Sequence, residues 1–326
     1  MICIRNQSAA GLLLAYSLFF PGLLFAQSWP SKPIRIIVPF APGGGVDFIG
    51  RVVAQRLAER LGQQVVVDNR AGANGIVGLE ILKGTQPDGY TIAVASQGPM
   101  SINPLIYAKL PYDPMHDFTP ISNMVNVPLL LVMHPSLPVK NVRELIALGK
   151  KKPGEIAYSS AGAGNSGHLA AELFNSMAKI KMIHVPYKGA GPANLALLAG
   201  EVQLTFSSIP AIVQHIRSGK LKALGVGDAM RMPSLPEFPT IAESGLPGYE
   251  AYSWSGMVGP AHLPAEIATR LNREIGLLLK QKEVAEQVVK EGMIPTPGSA
   301  ADFGNYVKAE IAKWGPIIKQ ANIRAE

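Results

Sequence analysis

Two glycine-rich turns hold the residues whose types and spacing best suit chemistry. They are Ala41-Pro42-Gly43-Gly44-Gly45-Val46-Asp47 and Ala161-Gly162-Ala163-Gly164-Asn165-Ser166-Gly167-His168. Each follows a short apolar run and precedes a segment with apolar residues at helical spacing. Glycine in such a turn lets a ligand approach the backbone closely, and the first helical turn offers amides that find no acceptor within the helix. Together with the positive end of the helix dipole, this makes an anion site out of main chain.

Other chemistries fit these residues less well. Gly162-x-Gly164-x-x-Gly167 spells the dinucleotide fingerprint, but the acid that should hold a ribose after the next strand is absent from Val185-Pro186-Tyr187-Lys188. The first turn has Asp68 after its next strand but Phe48 where the third glycine belongs. Neither turn contains the Gly-Lys-Ser/Thr of a triphosphate loop. Gly164-Asn165-Ser166-Gly167 approaches a nucleophile elbow, yet His168 stands where that elbow needs its last glycine. Ser176 and Lys179 have the spacing of a Ser-x-x-Lys motif without its companions. His168 and Glu172 lie one helical turn apart, but the six histidines never pair at metal-ligand spacing. Trp254, in Ser253-Trp254-Ser255-Gly256, reads as core or hinge packing. The expectation is a binding protein with no cofactor, no metal and no catalysis.

The elements around the turns alternate in type. Ile34–Phe40, 65–67 and 90–95 read as buried strands, with helices after the first and second. Asp47 is placed to cap the first helix and Gly62 to end it. A second series repeats the theme with strands at 129–133, 155–158, 181–185, 202–206 and 222–226. Helices are expected at 142–150, 168–178 and 192–198, and three more at 264–280, 283–291 and 300–319. This alternation predicts parallel sheets flanked by helices.

The chain has 326 residues, 48% apolar and 16% charged, which suits two folded domains. Residues 1–26 read as an export signal: Arg5, then the apolar run Gly11–Phe25, then Ala26. Cys3 is the single cysteine and precedes that run. It cannot be a lipid-anchor cysteine, and a processed chain would carry neither disulfide nor thiolate site. Loss of Arg5 takes one unit from the net charge of +7. The remaining cations are dispersed, apart from Lys150-Lys151-Lys152. They form no nucleic-acid stripe but leave a mild positive field that favours anionic ligands.

Several longer stretches carry a resemblance. They are WPSKPIRIIVPFAPGGGVD at 29–47, VVVDNRAGANGIVG at 65–78, PDGYTI at 87–92, INPLIYAKLPYDPMHDFTPIS at 102–122, SSAGAGNSGHLAAELF at 159–174, HVPYKGAGPA at 184–193 and LPGYEAYSW at 246–254. Over nearly the whole mature chain the sequence resembles the solute receptors of tripartite tricarboxylate transporters, the Bug family of periplasmic binding proteins. The resemblance implies an α/β, two-lobed, type II (flytrap) architecture with a mostly parallel sheet in each lobe. Lobe 1 would comprise 27–127 and 226–326, and lobe 2 would comprise 128–225.

The resemblance also implies a small carboxylate ligand held between the lobes. From the first loop Phe40, Pro42, Gly43, Gly44 and Asp47 would bind it. From the second, Ala161, Gly162, Gly164, Asn165, Ser166 and His168 would do so. Ser96, Gly98 and Tyr187 would border the cleft. Ser207 stands where many relatives have an aspartate able to pair with a ligand amine, which predicts a di- or tricarboxylate or an aromatic acid ahead of an amino acid. The implied setting is a monomer in the periplasm, serving the large and small subunits of a membrane transporter. Two alternatives have the same lobes: a ligand sensor for a signalling receptor, and an exported hydrolase using Ser166 and His168.

Overall fold

A computed structural model describes residues 29–187, 189–232 and 234–324; the expected export signal lies outside the described residues. The chain opens with β1 (Ile34–Val38), α1 (Gly45–Leu61), β2 (Val65–Asn69), α2 (Ile76–Lys83), β3 (Thr91–Ser96) and α3 (Asn103–Ile106). β4 (Phe118–Met133) leads into α4 (Val142–Lys151), β5 (Ala157–Ser160), α5 (Ser166–Ala178), β6 (Ile183–Pro186) and α6 (Ala190–Ala199). Next come β7 (Leu204–Ser208), α7 (Ile209–Arg217), β8 (Lys222–Val226) and β9 (Tyr252–Pro260). The chain ends with α8 (Ala265–Leu279), α9 (Lys282–Lys290), β10 (Ile294–Pro295) and α10 (Ala300–Gln320).

Two sheets meet on one strand. β2, β1 and β3 are parallel, and β9 joins them antiparallel to β3. The first part of β4, Phe118–Pro128, pairs with β9, while Leu129–Met133 pairs with β7 and β8 in the second sheet. There β7, β5 and β6 are parallel. β4 is therefore the outward crossing between lobes. Both sheets are mixed where the sequence suggested mostly parallel ones. The departure comes from β9 and the first part of β4, whose apolar runs are broken by Pro120, Ser122, Asn123, Asn126, Pro128, Ser253 and Ser255.

The stretch after Val226 packs with the second sheet. The Gly227 amide donates to the Leu129 carbonyl at 2.8 Å, and the Ala251 amide to the Gly227 carbonyl at 2.7 Å. Met232, Leu235, Ile241, Leu246 and Tyr249 are buried in the cores on either face of the second sheet. The described residues of 226–251, expected in lobe 1, thus lie with the cores of the second sheet. An apolar strand reaching 226 looked like the end of a lobe because the loop after it has no periodicity.

The β-branched strand residues lie in the cores they were expected to build: Ile34, Ile36 and Val38 face Ile49, Val53 and Leu57 of α1. β2 is an exception, being an edge strand with Val66 44% exposed. Gly62 closes α1 in the left-handed region, donating its amide to the Ala58 carbonyl. α10 belongs to both lobes. Phe303 and Val307 pack with Ile37 and Ala93 of the first sheet, whereas Trp314, Ile317 and Ile318 pack with Phe174 and Tyr249 in the second lobe.

Candidate functional site

Both glycine loops sit at the carboxyl ends of parallel strands, the place where α/β sheets bind ligands. In the first, Gly43 turns the chain with φ +90° and nothing stands within 4 Å of where a Cβ would be. Gly44 precedes α1 in extended conformation, and no side chain caps the helix. The amides of Gly45 and Val46, in the first turn of α1, have no acceptor within the helix.

Asp47 has a different task from the one expected. Its carboxylate is almost fully buried. Oδ2 accepts the Gly43 amide and Arg51 Nε, both at 2.9 Å, and Oδ1 accepts Asn69 Nδ2 at 2.8 Å. Asn69 Nδ2 also donates to the Phe40 carbonyl at 3.0 Å. Burial works against the charge, but the hydrogen bonds from Arg51, Asn69 and Gly43 outweigh it and hold the carboxyl below its ordinary range. Asp47 is a strut of the loop. An anion beside it would be repelled, and its oxygens are already engaged.

In the second loop, Gly162 (φ +137°) and Gly164 (φ +74°) adopt backbone angles that side chains disfavour. Asn165 is the N-cap of α5; its Oδ1 accepts the His168 amide at 3.0 Å. Its Nδ2 is buried and, among the described residues, has no partner. A buried donor left unpaired costs about 1–3 kcal/mol, which a bound acceptor would recover. Ser166 opens α5 and is half-buried. Gly167 is demanded by packing: a Cβ there would lie 2.5 Å from the Phe206 carbonyl oxygen.

His168 is tied into the loop by its own ring. Its ring is buried, and Nδ1 accepts the Gly164 amide at 3.0 Å. The ring stacks on His184 with centroids 3.7 Å apart. Burial, and next the charge of His184, push His168 down to about 3; burial pushes His184 down to about 4. Both rings are therefore uncharged near neutrality.

The other expected residues fall around the loops. The ring tip of Phe40 stands 3.4 Å from the Cβ position of Gly75, and Asn74 lies 3.3 Å from that of Gly98. Ser96 is buried at the end of β3, paired with Ser255 of β9. Pro42 is exposed at the first loop, and the Ala161 carbonyl accepts the Gly189 amide at 3.1 Å. Ser207 is buried in β7, opposite Leu130 of β4. The Tyr187 carbonyl is 3.6 Å from the Cβ position of Gly162, but its hydroxyl reaches Glu201 at 3.4 Å, so its side chain serves the α6 side of the lobe.

Contacts between lobes flank the loops on both sides. On one, Ile106 of α3 comes within 3.2 Å of the Cβ position of Gly164. On the other, Met293 is 2.9 Å from the Cβ position of Gly45, and the Cβ position of neighbouring Gly292 is 3.0 Å from Ile209 and 3.1 Å from Pro210. Sequence reasoning missed Arg51, Asn69, Asn74, Ile106, Ser160 and His184. Asn69 and Asn74 lie in the glycine-rich stretch 69–75, and Arg51 stands four residues after Asp47, whereas Ile106 and His184 act only across elements.

The cations near the first loop are paired: Arg51 with Asp47, and Arg35 and Arg70 with Asp68. No guanidinium among these three is left without a carboxylate partner. Among the described residues no cluster of His, Cys, Asp or Glu could hold a metal, and no helix is long and apolar enough to cross a membrane.

Two α/β lobes joined by crossing strands, each offering a glycine loop at the head of a helix, define a solute-binding protein of the type II architecture. Residues 49–323 match the tripartite tricarboxylate transporter family receptor (TctC) family, and the chain belongs to that family. It is similar to the solved structure of R. palustris Rpa4515 with adipate, at 38% identity and TM-score 0.79, over 91% of this chain and 99% of that one. It is similar to the periplasmic binding protein BugD, at 31% identity and TM-score 0.74, over 91% and 100%. A third similar structure is MatC from Rhodopseudomonas palustris with bound malate, at 29% identity and TM-score 0.74, over 89% and 100%.

Proposed function

We propose that this protein captures a small dicarboxylate between its lobes in the periplasm, as a monomer, and hands it unchanged to the integral-membrane subunits of a tripartite transporter. The observation that carries this reading is the pair of helix-heading loops, one per lobe and flanked by contacts between lobes. Between them they offer the first-turn amides of α1 and α5 and the unpaired Nδ2 of Asn165. Two structural relatives hold dicarboxylates of different length, adipate and malate.

Hydrogen bonds to a charged acceptor are worth about 1.5–3 kcal/mol each. Three or four, less the desolvation of the anion, reach the roughly −8 kcal/mol of micromolar binding. Because both lobes donate, ligand favours the closed arrangement by its difference in affinity for the two states. In this reading lobe 1 runs from the mature N-terminus to about residue 127 and resumes at 252, and lobe 2 comprises 128–251. Binding without turnover is supported by His168. Its Nδ1 is occupied by the Gly164 amide and its ring is buried under the loop, so it is unfit to serve Ser166 as a base.

Ser207 supplies no charge for an ammonium group, which favours plain carboxylates. Isothermal titration with adipate, malate, aspartate and glutamate tests the reading. Adipate or malate is expected to bind with micromolar affinity. Tighter binding of either amino acid than of both plain acids would overturn the ligand class, and no binding of any acid would overturn the function.

A further inference from the structure

The loop 162–164 hangs from two stacked imidazoles. At one end the Gly164 amide donates to His168 Nδ1 at 3.0 Å. At the other, Gly162 is held twice by Ser160 Oγ, which meets its amide at 3.2 Å and its carbonyl at 3.0 Å. That hydroxyl lies 2.6 Å from His184 Nε2. The two rings are nearly parallel, 13° apart, with centroids at 3.7 Å. Tyr158 lies beside the pair, 5.1 Å from His184 and 6.3 Å from His168, and donates its hydroxyl to Glu172. Tyr158 and Ser160 lie on β5, which leads into the loop, and His168 lies in the first turn of α5, which follows it.

The geometry has a direct chemical meaning. A glycine at φ +74° has many alternatives, and its amide could turn toward the cleft or toward the helix. An acceptor nitrogen beneath the loop selects the second. The amide leaves the cleft, and the chain then delivers Asn165 to its capping position, with Oδ1 on the His168 amide and Nδ2 free. A charged imidazole would offer a second proton to an N–H group in place of a lone pair. The arrangement therefore requires the uncharged ring that burial enforces.

We propose that His168, backed by His184 and Ser160, is a positioning residue that shapes the second glycine loop for anion binding by accepting the Gly164 amide. This rests on the loop being the ligand site. Tyr158 and Glu172 brace the pair from one side, and Gly167 lets α5 lie close enough to β7 for the rings to reach the loop.

The test has one arm that needs no ligand. In the ligand-free mature protein, NMR should detect scalar coupling between the Gly164 amide nitrogen and His168 Nδ1, with slow exchange of that amide. His168→Leu should speed this exchange and weaken adipate binding, each by about tenfold. His168→Asn places Oδ1 where Nδ1 stood and should rescue both to within about threefold of wild type. A merely space-filling role predicts the reverse order, with leucine closer to wild type. An unprotected Gly164 amide without coupling in the wild type would overturn the proposal, as would unchanged adipate affinity in His168→Leu. If His168→Leu does not fold, the wild-type coupling and the asparagine variant decide. Should the wild type bind neither adipate nor malate, the functional reading fails while the exchange arm still judges the loop.

Discussion

Asn165 shows how much one side chain can settle. Its two polar ends do separate work: the oxygen caps α5, and the nitrogen is buried without a partner. Asn165→Asp separates them. Aspartate caps as well as asparagine, but its second oxygen would be buried without a donor, so stability should fall by about 1–3 kcal/mol. The second oxygen is now an acceptor with charge, facing where an anion would sit, and adipate affinity should fall at least about tenfold. Calorimetry and urea unfolding on the same variant check both halves. Equal affinity would remove Nδ2 from the list of ligand donors. Asp47 is the instructive contrast, since its carboxylate is buried in hydrogen bonds from Gly43, Arg51 and Asn69. In the sequence both residues simply flank a glycine turn. Only the partners across the fold separate the donor from the strut.

Among the elements, the α5–β7 contact is the tightest close approach at the site. The Cβ position of Gly167 is 2.5 Å from the Phe206 carbonyl oxygen, a backbone atom that cannot step aside. Gly167→Ala should destabilise the protein by about 1–3 kcal/mol, read as a lower urea midpoint with an unchanged slope. An unchanged midpoint would mean that α5 slides freely on the sheet. The third glycine of the apparent dinucleotide fingerprint is thus explained by packing alone, which is why the motif appeared without its acid. Most helices and the strands of the two parallel runs were legible because branched apolar runs and 3.6-residue spacing are local signals. β9 and the first part of β4 were not, since serines and prolines interrupt them and their partners lie far off in the chain. The packing of the stretch after Val226 was hidden for the same reason. Residues 227–251 form loops whose allegiance is decided by Tyr249, whose hydroxyl donates to the Ala170 carbonyl of α5 at 2.8 Å, and by Leu246.

Across the whole molecule, the buried histidines make stability depend on pH. Their ordinary value of 6.5 falls to about 3 for His168 and about 4 for His184 in the fold. Below about pH 6.5 the unfolded chain takes up protons that the folded chain refuses, so stability present at neutrality is lost as the pH drops toward the folded values. Asp228, held up by burial, acts with the opposite sign, so the useful measurement is a difference. Urea unfolding at about pH 7 and about pH 5 should show a loss in the wild type that shrinks in His168→Asn. Identical losses in the two proteins would mean that His168 titrates normally.

α10 has a consequence for the order in which the molecule can be completed. The core around Phe174 and Tyr249 is finished by Trp314, Ile317, Ile318 and Ile323. A nascent polypeptide emerges from its amino end, so the middle of the chain is free long before these closing pieces arrive. Until they dock, one flank of α5 stays wet. A chain cut a few turns short would keep the Phe303 and Val307 contacts of the first lobe and leave the second with an open seam.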